Sequence, residues 1–181
     1  SSAAAIGCRA PCDKGLRVAI PLDSAAGECF DIMRAAVLRQ IFEWIDRGDV
    51  WAIHLAVPCT FDSVATAHLS RSPGQVADRE RLVDRVVRII RRAHNAGVYT
   101  VVENSEFSRL WKCRKLWKLL NAIGVVFVRY KFGAFGTAHI KPQMLVGTLP
   151  GLQRLALQCH CGVRHEVLEG KIRFAKSRRW S

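Results

Sequence analysis

Val50-Trp-Ala-Ile-His-Leu-Ala-Val-Pro58-Cys59-Thr-Phe-Asp-Ser63 restricts this chain more than any other stretch. Mostly apolar residues run from Val50 to Val57 without alternation and then meet a proline, a cysteine and a polar loop. A short continuous apolar run bounded by a turn signal predicts a strand buried on both faces, as in a parallel sheet covered by helices. Ligands of such sheets sit beyond the carboxyl ends of the strands. Cys59 would stand at such an end.

Other segments fit this frame. Leu16 to Leu22 predicts a short strand ending at Asp23, followed by the small-residue loop Ser24-Ala-Ala-Gly27. Phe30, Met33, Val37, Ile41 and Trp44 recur at helical spacing over 30–47, with Gly48 as the stop. Val76 to His94 is a second amphipathic helix, with Val76, Val83, Val86, Val87 and Ile90 on one face and arginines largely outside it. Val98 to Val102 is a β-branched strand ending at Glu103-Asn104.

A helix over 107–120, a strand over 123–128, a loop through Gly133 to Pro142 and a short strand at Met144 to Val146 follow. A short helical piece over 152–157 precedes the C-terminal stretch. The alternation predicts one α/β domain over 16–170 with a mostly parallel, Rossmann-like sheet. A disordered lead-in (1–15) and a basic tail (171–181) flank it. No internal repeat or dividing linker is evident.

Charge and cysteine content narrow the partners. The net charge of +13 is spread over helices and tail, and favours a polyanion, nucleic acid before an acidic membrane surface. No apolar run is long enough to cross a bilayer. Seven irregularly spaced cysteines without a secretory signal predict reduced thiols in an intracellular setting, nuclear or cytoplasmic. No protein partner is inferred. The chain opens on Ser1 rather than Met, so it is expected to be a piece of a longer product.

The strand ends carry the chemistry. Asp23, Cys59 and Glu103 each close a predicted strand, and in a parallel sheet those ends face one rim. Cys159-His160-Cys161 with His165 has enough donors for zinc, but structural sites usually repeat Cys-x-x-Cys pairs. A packing role is expected there, and no metal is assigned. His54 lies inside the apolar run and is expected to be a hydrogen-bonded core histidine. Trp111 and Trp117 follow the apolar spacing of their helix and are expected in the core.

Pro58-Cys59-Thr-Phe61 resembles the Pro-Cys motif of cytosine-5 DNA methyltransferases, and Val102-Glu103-Asn104 the Glu-Asn segment of that family. The chain is more similar still to a divergent set of methyltransferase-like domains found beside mobile elements. It carries His54-Leu-Ala-Val-Pro-Cys59, Glu103-Asn104-Ser105 with Leu110-Trp111, Phe132-Gly133 with Lys141-Pro142, and Cys159 with His165 before Leu168-Glu-Gly170.

The resemblance implies that Cys59 attacks C6 of a cytosine, Glu103 holds the ring at N3, and S-adenosylmethionine delivers a methyl group to C5. Asp23, Asp31 and Pro58 would lie in the cofactor site. Arg109, Lys112 and Lys141 would contact nucleic acid, DNA ahead of RNA. Val57 stands in place of the family's first proline. The glycine-rich cofactor loop and its strand are expected upstream of Ser1 or lost, so the chain alone is expected not to turn over in methyl transfer. The alternative is a non-catalytic basic module from a mobile element that binds nucleic acid through charge.

Overall fold

A computed structural model of the chain describes residues 18–19, 22–23, 27–58, 72–137, 139–157, 162 and 166–167, the side chains of 139–140 and 166–167 excepted. The chain divides into two compact units, each assembled from separated stretches: up to Trp51 with Pro73–Val98, and Ala52–Ser72 with Tyr99 onward.

The first unit holds a short 3-10 turn at Glu28–Phe30 and two helices, α1 (Ala35–Asp46) and α2 (Pro73–Asn95). The predicted helix over 30–47 is thus two pieces. Asp31 divides them: its Oδ1 accepts the Met33 amide at 2.8 Å and its carbonyl accepts the Arg34 amide at 2.9 Å. That local alternative to the helical ladder is typical of aspartate. α1 buries Val37, Leu38, Ile41 and Ile45, a stripe shifted from the predicted one, with Phe30, Met33 and Trp44 only half-buried.

α2 buries Leu82, Val83, Val86, Val87, Ile89, Ile90 and Ala93. Proline at its first position costs no hydrogen bond, because that amide has no intrahelical partner. Gly97 ends it at φ +71°, and the Val98 amide returns to the Ala93 carbonyl at 2.8 Å. Between the two helices, Arg92 grips the Asp46 carboxylate through Nε (2.6 Å to Oδ1) and through Nη2. The Arg88 and Arg92 guanidiniums lie over the Phe42 ring, 5.4 and 5.5 Å from its centroid.

The second unit contains β1 (Ala52–Ala56), β2 (Tyr99–Ser105), β3 (Val126–Lys131) and β5 (Pro142–Gly147) in one sheet of order β1-β2-β5-β3. A two-residue strand β4 (His139–Ile140) pairs in parallel with β6 (Glu166–Val167). Helix α3 (Arg114–Ala122) follows a 3-10 turn at Arg109–Lys112, whose Leu110 amide is capped by Ser108 Oγ at 3.1 Å. On one face of the sheet Val101, Val128, Leu145 and Leu152 form a core, joined by Val126, Tyr130 and Leu149.

Two expectations need correction. The unit is mixed α/β, but of the sheet's three pairings only β1–β2 is parallel, and β5 runs antiparallel to both of its neighbours. β1, β2 and β3 therefore share one direction, with β5 reversed between them. β1 is also not buried on both faces. It pairs only with β2 among the described residues, and Ala52, His54 and Ala56 are exposed. The predicted strand over 16–22 lies mostly outside the described residues.

Candidate active site

The parallel register of β1 and β2 sets Ala56 opposite Glu103, so both strands release their chains at the same edge. Val57 and the exposed Pro58 follow directly; Cys59 lies outside the described residues. Asn104, buried in β2, donates from Nδ2 to the Val57 carbonyl at 2.9 Å and accepts the Ser105 amide on Oδ1 at 2.9 Å. The strand bearing Glu-Asn is thereby tied to the residue just before Pro58.

Glu103 sits inside β2 rather than after it, and three strands supply its surroundings. His54 Nε2 from β1 lies 2.9 Å from Oε2, and the Tyr130 hydroxyl from β3 donates to Oε1 at 2.8 Å. The His54 hydrogen bond does most to hold the Glu103 carboxyl below the usual glutamate range. Burial opposes it, while the Tyr130 hydrogen bond and the charges of His54 and Lys141 reinforce it. Burial first, and then the negative Glu103, push the Tyr130 phenol well above its ordinary value, which keeps it a neutral donor.

Phe132 and Phe135 meet the Tyr130 ring edge-on at 5.7 and 5.5 Å. Lys141 lies over Phe132, 5.8 Å from the ring centroid. Gln143 pairs with both Ser105 and Tyr130, and so shares their side of the sheet with Glu103. Its Oε1 is buried without a hydrogen-bond partner among the described residues.

The structure revises individual residues. The His54 side chain is 56 % exposed and is no core histidine: it shares one face of β1 with Ala52 and Ala56, which are exposed as well. Trp111 is buried and its indole N–H donates to the Ser105 carbonyl at 2.8 Å, but Trp117 is 41 % exposed. α3 turns Leu116 and Leu120 inward, and Trp117 falls off that stripe.

Arg109 and Lys112 are exposed in one 3-10 turn, where positions three apart eclipse. Lys141 instead lies close enough to Glu103 for its charge to act on that carboxylate. Asp23 and Asp31 belong to the first unit, Pro58 and Glu103 to the second. Cys159, Cys161 and His165 lie outside the described residues, and no group of three metal-ligating side chains occurs among the described ones. No helix among them is long and apolar enough to cross a membrane.

Sequence reasoning missed Tyr130. The alternation Val126-Val128-Tyr130 places it on the inner face of β3, a signal lost when that strand is ended at Val128. No protein-family model matches the chain, and no curated protein matches it.

Proposed function

We propose that this chain is a methyltransferase-like domain related to the S-adenosylmethionine-dependent enzymes that act on cytosine C5 in nucleic acid. One observation carries the reading most: the Asn104 to Val57 hydrogen bond, which holds the Glu103 strand against the chain entering Pro58-Cys59. In a cytosine site Cys59 is the nucleophile, and its thiolate adds to C6. Glu103, kept ionised, accepts hydrogen bonds from the exocyclic amine and from N3 once that nitrogen is protonated in the adduct. Each carboxylate oxygen has a second lone pair beyond the one already used by His54 or Tyr130. The buried Gln143 Oε1, without a partner among the described residues, lies on the same side of the sheet.

The sheet supports the coarser α/β part of this reading: β1, β2 and β3 run one way, and the reversed β5 lies between β2 and β3. Asp23 and Asp31 are the residues that would hold the cofactor. Both are half-buried carboxylates suited to hydroxyl and amine donors, and the Met33 amide engages one oxygen of Asp31. S-adenosylmethionine would supply the methyl group.

Reversible addition at C6 lets the C5 hydrogen exchange with solvent, so the thiol chemistry is testable without cofactor. The chain should accelerate loss of tritium from C5 of cytosine in an oligonucleotide, and Cys59→Ala and Glu103→Gln should abolish the effect. Exchange at the protein-free rate, or exchange that survives Cys59→Ala, would overturn the reading. Salt-dependent binding that persists in Cys59→Ala, with no exchange, would instead favour the non-catalytic module.

A further inference from the structure

Within the second unit an open cleft of about 910 Å³ has Trp111 among its walls and Phe107, Trp117 and Phe127 along them. These three rings are 62, 41 and 42 % exposed. Large apolar side chains gathered in one open place mark a binding surface. Trp117 and Phe127 form a pair with centroids 5.3 Å apart and planes tilted by 45°. Lys112 and Arg129 stand in the same cleft, and Arg109 projects from the turn that carries Lys112. The one acid there, Glu106, holds Arg129 at 3.2 Å.

We infer that this cleft binds single-stranded nucleic acid, stacking an unpaired base on Trp117 or Phe107 while Lys112 and Arg129 take the flanking phosphates. Exposed ring faces need base faces, which a duplex keeps stacked and a single strand offers. The cations and the +13 charge of the whole chain favour a polyanion over an apolar peptide. The inference rests on the nucleic-acid reading above for its class of partner, but not on Cys59.

The test measures anisotropy of a labelled oligothymidylate and of a duplex of equal length, over a range of salt, without cofactor and in the Cys59→Ala background. Loss of binding and loss of C5-hydrogen exchange are then separate results. The single strand should bind tighter than the duplex. Trp117→Ala should weaken it about tenfold, in keeping with one lost base stack, and Trp117→Phe should restore most of the loss. Lys112→Ala should lower the salt slope by about 0.7. If Trp117→Ala does not fold, Phe107→Ala, whose ring is more open, is read in the same way. Unchanged affinity in the ring variant, equal or tighter binding of the duplex, or displacement of the strand by an uncharged apolar peptide would overturn the inference.

Discussion

Tyr130→Phe removes a single oxygen and leaves the ring between Phe132 and Phe135. The hydroxyl donates to an ionised carboxylate whose side chain is only 20 % exposed. Hydrogen bonds to charged groups contribute about 1.5–3 kcal/mol, and partial access of water puts this one near the lower end, about 1.5 kcal/mol. At neutral pH that lowers the urea midpoint by roughly 0.5–1 M.

The pH dependence separates charge from packing. Folded Glu103 binds its proton more weakly than the unfolded chain does. Its stabilisation is therefore complete above the ordinary glutamate value of about 4.3 and is lost as pH falls through the lower folded value. Once Glu103 is protonated, Tyr130 donates to a neutral carboxyl, worth about 1 kcal/mol or less. The gap between wild type and Tyr130→Phe, followed by urea unfolding at pH 7 and near pH 3, should shrink toward acid. A gap that stays constant or widens on acidification would refute the argument.

Two further variants probe the architecture. Gly147→Ala would drive a methyl group into the Thr100 carbonyl oxygen and to 2.8 Å from the Val101 Cα, both backbone that cannot step aside. Such overpacking should cost about 3 kcal/mol, the upper end of the usual range, read as a lower thermal midpoint or loss of soluble protein. Asn104→Ala should cost about 1–3 kcal/mol in urea unfolding, because the Val57 carbonyl loses its donor, and should slow C5-hydrogen exchange by loosening the chain at Val57.

Local pattern made most elements legible. The apolar period of α2 places it within a few residues, and the β-branched run from Val98 foretells β2. Glu103 stands out as the acid that closes that run. What stayed hidden is non-local. Nothing in Met144-Leu-Val146 reveals that the strand runs backwards or that it inserts between β2 and β3. The apolar run into Pro58 reads as a central strand, yet among the described residues it pairs with β2 alone, and the run itself does not say which neighbours pair with it. The grouping of His54, Glu103 and Tyr130 joins residues tens of positions apart, and only the sheet register brings them together. Trp117 misled because a short helix of nine residues offers too few turns to fix which aromatic joins the inward stripe.

β5 is the last-made strand of its sheet and also the one that bonds to both β2 and β3. While the ribosome is still making residues before Pro142, the nascent β2 and β3 each present a bare backbone edge, a hazard for sticking to other chains. Premature termination upstream of Pro142 would leave that seam unzipped. Shortened products should thus collect in the insoluble fraction even when every residue of the Glu103 cluster before the stop has been synthesised.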